Sequence, residues 1–393
     1  MSDIEFRGIS KTYPDGTHAV TDLDLRIESG SFTVFVGPSG CGKTTSMRMI
    51  NRMIQPSAGS ITIAGQDIST VDPVKLRLGI GYVIQSGGLL PHRTVVDNVA
   101  TVPVLRGDSR RAARAAALEV LDRVGLDRSM AQRYPAQLSG GQQQRVGVAR
   151  ALAADPPVLL MDEPFSAVDP VVRAELQAEM QRLQAELRKT IVFVTHDIDE
   201  AITLGDRVAV FGRGGVLQQY DAPAHVLAQP ATDFVADFVG RDRGYRGLSF
   251  RTADDVTLHE IRTATADEVK ALRLERGDWV LVVDAAGKPS GWVDVTGVES
   301  LRAGRALAES MSAGGSLFTP TGDLRQALDA AISSPSGIGV AVDDSGAVRG
   351  GVLATEVLQQ LAAQRATEDA ARNREAYEHG LTLTKDSPAK DGV

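Results

Sequence analysis

The segment between residues 37 and 44 restricts the possible folds of this 393-residue chain more than any other feature. Its sequence, Gly-Pro-Ser-Gly-Cys-Gly-Lys-Thr, fits the pattern G-x-x-x-x-G-K-[ST]. It follows the apolar, β-rich run Phe32–Val36 directly and precedes an amphipathic helical pattern. Glycines in this arrangement let backbone N–H groups surround phosphate oxygens, and the helix N-terminus adds the positive end of its dipole. The segment is therefore predicted to be a phosphate-binding loop, or P-loop.

Four side chains in two motifs have the chemistry needed to bind and hydrolyse ATP. Lys43 is expected to pair with the β- and γ-phosphates, and the Thr44 hydroxyl is expected to bind Mg²⁺. Asp162 and Glu163 follow the apolar run Val158–Met161. Asp162 can hold Mg²⁺ directly or through water, and Glu163 can orient or deprotonate the attacking water. The P-loop residues predicted to bind nucleotide are Gly37, Pro38, Ser39, Gly40, Cys41, Gly42, Lys43, Thr44 and Thr45.

The single cysteine, Cys41, lies inside the P-loop. One cysteine excludes a framework of disulfides within the chain and a cysteine-based zinc site. Its position near a helix N-terminus predicts a lowered thiol pKa and a reactive thiolate, which ATP would protect from a maleimide. The alternative interpretation is a small residue that only fills space in the loop.

Short apolar runs alternate with helical patterns over the first 240 residues. This alternation predicts an α/β fold built on a mostly parallel sheet. The segment Asp221–Pro230 is rich in turn residues, contains two prolines and is predicted to precede a short helix. The predicted strands are Phe32–Val36, Val158–Met161, Ile191–Thr195 and Arg207–Phe211, and the predicted helices are one from Lys43, Ala112–Val124, Gln142–Ala153 and one from Ala174.

An internal repeat occupies much of the remaining chain, with copies of a short pattern that start at Val280 and Gly339. Each copy is predicted to form a strand, an Asp-x-x-Gly turn and a second strand, after a helical stretch at Ala266–Leu274 or Leu324–Ala331. We expect the copies to pack on each other as one module. The matching pairs include Asp284/Asp343, Gly287/Gly346, Gly291/Gly350 and Val293/Val352.

These patterns predict an ATPase domain over residues 1–240, a linker over 241–247 and a repeat module over 248–365, with copies at about 248–305 and 306–365. The polar residues 366–393 are predicted to be a disordered tail. A net charge of −8, without a basic patch, argues against nucleic-acid binding. No apolar run approaches the ~20 residues of a membrane-spanning helix, and no signal peptide is recognised, so a cytoplasmic location is expected.

The motif Leu-Ser-Gly-Gly-Gln-Gln-Gln-Arg at 138–145 opens another predicted helix, whose N-terminus is suited to a phosphate. With this motif the first 240 residues resemble an ABC ATPase, a P-loop NTPase with a helical subdomain. In that family the signature motif of one cassette faces the P-loop of another. The resemblance adds four nucleotide-binding residues, Ser139, Gly140, Gly141 and Gln142.

The resemblance implies roles for residues in four further motifs. Tyr13 matches the aromatic residue that stacks on adenine, and Gln85 matches the Q-loop glutamine. Asp169, in Ser-Ala-Val-Asp, matches the D-loop, and His196 matches the switch histidine near the γ-phosphate. The resemblance implies that the catalytic residues are Glu163, His196, Gln85 and Lys43. It implies that the metal ligands are Thr44, Gln85 and Asp162. The residues that it implies contact the nucleotide also include Tyr13, Gln85, Asp162 and Asp169.

Only one P-loop pattern occurs in the sequence, so the resemblance implies that two copies form a head-to-tail dimer around two ATP molecules. It also implies separate transmembrane permease subunits, which would hold the chain at the cytoplasmic face of the membrane, and, indirectly, a substrate-binding protein. The stretch just after Gln85 is where family members receive a permease helix. Here it is rich in leucine and proline, which is compatible with a protein partner.

The repeat resembles a pair of cystathionine-β-synthase-type (CBS) domains, which implies an α+β module. An ABC cassette followed by such a pair is similar to the ATPase of importers for glycine betaine, carnitine and choline. Nucleotide-binding CBS domains usually carry Thr or Ser and, three residues later, Asp. Here these places hold Asp294 and Gly297 in the first copy, and Leu353 and Glu356 in the second. A dimerisation module is therefore an alternative to a ligand sensor.

Other functions of an ABC protein are less compatible with the sequence. Import of a different small solute is the nearest alternative. Soluble ABC proteins of translation or DNA repair usually have two cassettes in one chain or long coiled-coil insertions, and this sequence has neither. An exporter cassette is a third possibility, against which the CBS-like pair argues.

Overall fold

The computed structural model describes residues 2–85, 88–166, 168–254 and 256–364. The chain divides between Arg243 and Gly244 into two compact units, which are described separately. The predicted tail, residues 366–393, lies outside the described residues. No helix in the described ranges is long and apolar enough to cross a membrane.

The first unit is an α/β structure with two sheets. Its strands are β1 (Ile4–Thr12), β2 (His18–Ile27), β3 (Phe32–Val36), β4 (Ala58–Ile63), β5 (Gln66–Asp67), β6 (Ile80–Val83), β7 (Val158–Asp162), β8 (Thr190–Val194), β9 (Arg207–Phe211) and β10 (Leu217–Asp221). Its helices are α1 (Lys43–Ile50), α2 (Pro73–Leu78), α3 (Val95–Val99), α4 (Thr101–Leu105), α5 (Arg110–Arg123), α6 (Gly140–Leu152), α7 (Pro170–Leu187), α8 (Ile198–Leu204), α9 (Pro223–Ala228) and α10 (Asp233–Val239).

The larger sheet of the first unit has the strand order β10-β9-β3-β8-β7-β6. All its neighbouring strands are parallel except β9 and β10. The smaller sheet, in the order β2-β1-β4-β5, is antiparallel. Strand β3 therefore lies beside β8 and β9, and its carboxyl end meets those of β7 and β8 at one edge, where parallel sheets place ligand sites.

Successive side chains of β3 point to opposite faces of the sheet, and each face packs into a different apolar core. Phe35 belongs to the core that includes α1 and the antiparallel sheet. Phe32 and Val34 point to the opposite face and belong to the core that includes α3, α5, α6 and α7. Because each face of the parallel sheet is covered, its central strands β3, β7 and β8 are buried along their whole length and mostly apolar, as the sequence predicted.

The predicted strands of the parallel sheet are confirmed to within one residue. The helix predicted from Lys43 begins there, and the other three predicted helices begin two to four residues earlier than predicted. α6 begins at Gly140, because Ser139 caps it, and α7 begins at Pro170, because Asp169 caps it. The turn-rich segment Asp221–Pro230 contains α9, and the short helix predicted after it is α10. Pro223 occupies the first turn of α9, where a missing N–H costs nothing.

The second unit contains two small sheets, β11-β12-β13 and β14-β15-β16. α11 (Arg243–Arg246) lies at the boundary between the units. The strands are β11 (Thr263–Thr265), β12 (Val280–Val283), β13 (Pro289–Val293), β14 (Leu317–Phe318), β15 (Ile338–Val342) and β16 (Val348–Leu353), and the helices are α12 (Val295–Arg302), α13 (Leu307–Ser310), α14 (Leu324–Ser333) and residues 354–364.

Both copies of the repeat have a parallel strand pair followed by an antiparallel hairpin. The copies pack on each other: Leu281 and Trp292 of the first form one apolar cluster with Val340 and Val342 of the second. Leu324–Ala331, predicted to be helical, lies within α14. The helical stretch predicted at Ala266–Leu274 is wrong, because only the short 3₁₀ helix Val269–Ala271 forms there.

Candidate functional site

The P-loop leaves β3 at Gly37 and enters α1 at Lys43, as the sequence predicted. Gly42 adopts a left-handed conformation with φ 96°, which disfavours any side chain. A Cβ atom on Gly42 would lie 2.1 Å from the carbonyl oxygen of Ala19. Glycine is therefore required at this position, directly before the first residue of α1.

Lys43 is only 4% exposed, and its ammonium group lies within the turn of the P-loop. Nζ donates hydrogen bonds to the carbonyl oxygens of Gly37 at 2.7 Å and Pro38 at 2.9 Å. Burial of a charge is costly unless the charge is paired. Two backbone carbonyls compensate the ammonium only in part, so this charge is well placed to attract phosphate oxygens.

Cys41 is buried, with 2% of its surface exposed. Burial raises the pKa of its thiol, and the nearby Lys43 opposes this increase only in part. The prediction of a lowered pKa and a reactive thiolate is therefore wrong. The helix N-terminus does not compensate for the loss of water around the sulfur, and Cys41 acts as a small apolar residue that packs with Phe35 and Met47 in one core.

Asp162 ends β7 and brings three segments of the chain together. Its Oδ1 accepts a hydrogen bond of 2.8 Å from the Thr44 hydroxyl, and its Oδ2 is 3.2 Å from a guanidinium nitrogen of Arg48. The hydroxyl of Tyr82, on β6, lies 3.5 Å from Oδ2. Sequence reasoning missed Arg48 and Tyr82. Arg48 lies four residues after Thr44 on α1, a spacing that places both on one face and that could have identified it.

Glu163 has a left-handed backbone, with φ 43°, directly after β7. Its N–H donates to the carbonyl oxygen of Val194, at the end of β8, at 2.9 Å. Its Oε2 accepts a hydrogen bond from Gln85 Nε2 at 3.3 Å and lies 3.3 Å from His196 Nδ1. The structure thus brings together three residues from distant parts of the sequence, each predicted to be catalytic.

The donor atoms beside the P-loop fit a small divalent cation. The Thr44 hydroxyl and the Asp162 carboxylate are already 2.8 Å apart, and oxygen donors of this kind suit Mg²⁺. Within the described ranges, no group of three or more His, Cys, Asp or Glu residues is arranged to hold a metal ion. That result is compatible with Mg²⁺ that arrives with ATP, because such an ion takes most of its ligands from phosphates and water.

The signature motif forms a complete helix cap at the start of α6. Ser139 Oγ accepts from the N–H of Gln142 at 3.3 Å, and Gln142 Oε1 accepts from the N–H of Ser139 at 3.0 Å. This reciprocal pair is a capping box. Gly141 is packed closely, because a Cβ atom there would lie 2.5 Å from Val172 Cγ1.

Two further predicted residues lie in turns. Asp169 caps α7, and its Oδ1 accepts from the N–H of Val172 at 3.1 Å. Tyr13 lies in the turn between β1 and β2, where its carbonyl oxygen accepts from the N–H of Gly16 at 2.9 Å. The ammonium of Lys11 lies 5.3 Å from the centre of the Tyr13 ring.

Comparison with protein families and curated proteins agrees with this geometry. Residues 20–166 match the family model described as ABC transporter. The chain is 46% identical to the choline transport ATP-binding protein OpuBA of Bacillus subtilis (strain 168), over 76% of this chain and 80% of that protein. It is 47% identical to the osmoprotectant import ATP-binding protein OsmV of Salmonella typhimurium, over 70% of this chain and 74% of that protein.

Another relative is the glycine betaine uptake system ATP-binding protein YehX of Escherichia coli (strain K12). The chain is 47% identical to it, over 73% of this chain and 96% of that protein. Among solved structures, a dimeric ATP-binding cassette bound to ADP and Pi is 33% identical with a TM-score of 0.52, over 56% of this chain and 98% of that one. The cassette of a cbiONQ transporter complex from Clostridium perfringens is 30% identical with a TM-score of 0.54, over 58% of this chain and 91% of that one.

The similarity extends well beyond the P-loop, because it covers about three quarters of this chain and most of each curated relative. The solved cassettes share the fold over more than half of the chain. The chain belongs to the ABC transporter ATP-binding proteins, in the group that contains the choline, carnitine, glycine betaine and osmoprotectant transport ATPases.

Proposed function

We propose that this chain is the ATP-hydrolysing subunit of an ABC importer that takes up a quaternary ammonium solute of the glycine betaine, choline or carnitine type. The observation that carries the ATPase assignment is the convergence of the Lys43 ammonium, the Thr44–Asp162 pair and the Glu163 carboxylate at one edge of the parallel sheet. The solute class comes from the names of relatives that are 46–47% identical over most of their length.

In this proposal Lys43 and the P-loop backbone bind the phosphates of ATP, and Thr44 and Asp162 hold Mg²⁺, which neutralises charge on those phosphates. Glu163 accepts a proton from the attacking water, and Gln85 and His196 keep its carboxylate oriented. The hydrogen bond from Gln85 Nε2 to Glu163 supports this orienting role. Gln85 also offers an amide oxygen as the third proposed Mg²⁺ ligand.

The proposed active assembly is a head-to-tail dimer of two copies. The capped N-terminus of α6, with Ser139, Gly140, Gly141 and Gln142, would complete the ATP site of the second copy, together with Asp169, while Tyr13 stacks on adenine. A dimeric solved cassette with the same fold supports this arrangement. Permease subunits would hold the dimer at the cytoplasmic face of the membrane, and a substrate-binding protein would deliver the solute.

We assign the repeat over 248–365 to a tandem CBS-like module, joined to the ATPase domain by a linker over 241–247. The division of the chain between Arg243 and Gly244 falls inside this linker. The two stacked copies, each a parallel strand pair with a hairpin, support the assignment. Asp294 caps α12 by accepting from the N–H of Gly297, so its carboxylate has a structural role.

The Glu163→Gln variant tests the ATPase proposal. Without a carboxylate to accept a proton, turnover should fall by about 10²-fold or more, while the affinity for ATP changes little. ATP should then hold the variant as a dimer that survives gel filtration. The matched control is Glu175→Gln, at an exposed position on α7, which should keep normal turnover. Normal turnover of Glu163→Gln would contradict the role of Glu163.

Uptake measurements test the solute class separately. The chain is reconstituted with its permease and binding protein in vesicles, and uptake of radiolabelled glycine betaine, choline and carnitine is measured against uptake of histidine. We expect ATP-dependent uptake of at least one of the quaternary ammonium compounds, and none with Glu163→Gln. ATP-dependent uptake of histidine alone would contradict the solute class without contradicting the ATPase.

A further inference from the structure

A polar cluster with two buried members, Thr195 and Glu200, lies beside His196, outside the residues to which the sequence motifs assign a role. It consists of Thr195, Asp197 and Glu200, which flank His196 in the chain, and Arg173 on α7. Glu200 is 5% exposed, although glutamate is rarely buried without a partner. A small cavity of about 30 Å³ is lined by this cluster together with Glu163 and His196, so the cluster borders the catalytic carboxylate.

The Thr195 hydroxyl links the Glu200 carboxylate to the backbone that directly follows His196. It donates a hydrogen bond of 2.6 Å to Glu200 Oε2 and accepts one of 3.0 Å from the N–H of Asp197. A hydroxyl has one hydrogen to donate, so donation to Glu200 turns its lone pairs toward Asp197. The N–H of Thr195 also donates to the carbonyl oxygen of Phe35, on β3, at 3.1 Å, which ties this turn to the parallel sheet.

Arg173 connects the same cluster to the segment that precedes α7. One of its guanidinium nitrogens, Nη2, donates to the carbonyl oxygen of Val168 at 3.3 Å. Nη1 lies 3.6 Å from Asp197 Oδ2, and Nε lies 3.9 Å from Glu200 Oε1. The backbone N–H of Arg173 donates to the carbonyl oxygen of Asp169 at 2.8 Å. The Arg173 side chain thus contacts Val168, near the end of the D-loop, and also the segment that follows His196.

Burial raises the pKa of Glu200, and the hydrogen bond from Thr195 and the charge of Arg173 oppose that increase. A buried carboxylate is costly without partners, and Thr195 and Arg173 supply them for Glu200.

We propose that Thr195, Glu200 and Arg173 are positioning residues for His196. Glu200 orients the Thr195 hydroxyl. This hydroxyl fixes the turn that presents His196 to Glu163. Arg173 makes the position of this turn depend on the position of the D-loop. This inference rests on the proposed catalytic role of His196. It extends the proposed function because it explains how the D-loop of a subunit can influence the histidine of the same subunit.

The test uses Thr195→Val and Thr195→Ser in the purified full-length chain. Valine keeps the shape but removes both hydrogen bonds, whereas serine keeps the hydroxyl. We expect Thr195→Val to lower kcat about tenfold or more, because misplacement of a catalytic group by about 1 Å is enough for such a loss. The Kd for a fluorescent ATP analogue should stay within about twofold, which also shows that the site is folded. Thr195→Ser should restore kcat to within about twofold.

A control separates positioning from general stability. Thr33→Val removes another fully buried hydroxyl, on the neighbouring strand β3. We expect it to lower the midpoint of thermal unfolding as much as Thr195→Val does, without a loss of kcat. An equal loss of kcat in both variants would overturn the proposal, as would a normal kcat in Thr195→Val.

Arg173→Met tests the connection to the D-loop. It is compared with Arg182→Met, which removes an exposed guanidinium from the same helix. We expect Arg173→Met to lower kcat about threefold to tenfold, with little change in the affinity for ATP, and Arg182→Met to have a normal kcat. A normal kcat in Arg173→Met would overturn the part of the proposal that concerns Arg173.

A double-mutant cycle with His196→Ala identifies the route of the effect. Single-turnover hydrolysis of radiolabelled ATP is measured for each single variant and for the double variant. If Thr195 acts through His196, Thr195→Val should cause no further loss in the His196→Ala background. The same tenfold loss in both backgrounds would overturn the proposal.

These measurements also distinguish an error in the proposed role of His196 from an error in the positioning inference. Normal turnover of His196→Ala would contradict the proposed role of His196 and the positioning inference with it. A large loss in His196→Ala together with normal turnover in Thr195→Val would overturn the inference alone.

Discussion

In the first unit, the charged side chains of Lys43, Asp162 and Glu200 are each exposed by 5% or less, whereas the described residues of the second unit bury no charged side chain. The three buried charges of the first unit all lie near the carboxyl ends of β3, β7 and β8. The interior of the second unit is apolar and includes Trp292 and Phe318. Both units pack apolar cores against their sheets, so the presence of an apolar core does not explain the difference.

Burial of a charge costs free energy that only close partners recover, and an apolar replacement is often as stable. Buried charges therefore mark the places where a fold gives up stability for chemistry. By this criterion the proposed reaction site lies in the first unit, and no comparable site is found among the described residues of the second unit. Its carboxylates are used at the surface, where Asp284 and Asp343 close the two hairpin turns.

The largest expected effect comes from removal of one buried charge in the first unit. Lys43→Ala should weaken the binding of ATP by at least about a hundredfold, because the phosphates lose a charged hydrogen-bond partner worth about 1.5–3 kcal/mol per contact. Isothermal titration with ATP and Mg²⁺ measures the change. Lys288→Ala, at an exposed turn of the second unit, is the control and should bind ATP normally. Equal affinities of Lys43→Ala and Lys288→Ala for ATP would contradict the distinction between the two units.

Truncation in the second unit should affect stability and leave nucleotide binding intact. Leu281, 1% exposed, packs between the two repeat copies, so Leu281→Ala should lower the free energy of unfolding by about 2–5 kcal/mol. The only two tryptophans, Trp279 and Trp292, both lie in this unit, so their fluorescence reports its unfolding in the full-length chain.

The control for this truncation is Leu23→Ala, at a position of the first unit that is also 1% exposed. It should leave the tryptophan-detected unfolding transition unchanged, since its core belongs to the first unit. If both variants shifted that transition equally, the two units would unfold as one, and the comparison between them would not extend to stability.

The smallest expected effect concerns the pH dependence of the second unit. The Ser345 hydroxyl and the N–H of Ala347 hold the pKa of Asp343 below its ordinary value. A carboxyl group with a lowered pKa stabilises the fold above the pKa of the unfolded chain, about 3.9, and that contribution is lost as the pH falls through the folded value.

Asp343→Asn should therefore be slightly less stable than the parent chain at pH 7, and the difference should shrink below about pH 4. Urea unfolding followed by tryptophan fluorescence at several pH values measures it. Asp344→Asn, at the neighbouring exposed residue, is the control and should be as stable as the parent chain at pH 7. A difference that grew as the pH fell would contradict the assignment of Asp343 as a turn-closing carboxylate.

The local motifs of this protein could be predicted because each is encoded within a few consecutive residues. The apolar run Phe32–Val36 specifies a buried strand, and the glycines after it specify a loop with left-handed backbone. Helix starts were predicted less well, because the caps Ser139 and Asp169 begin their helices several residues before the apolar pattern does.

The tertiary structure decided which side chains meet. Arg48, Tyr82 and Asp162 come from three segments, and their contact depends on the order of strands in the sheet. Thr195 and Glu200 are close in sequence, but the partner that completes their cluster, Arg173, comes from another helix. Cys41 also shows what the sequence could not determine. Its position in the sequence predicted a reactive thiol, but the residues that surround it in the fold bury it and raise the pKa of its thiol. Desolvation depends on the whole fold, so it could not be predicted from neighbouring residues.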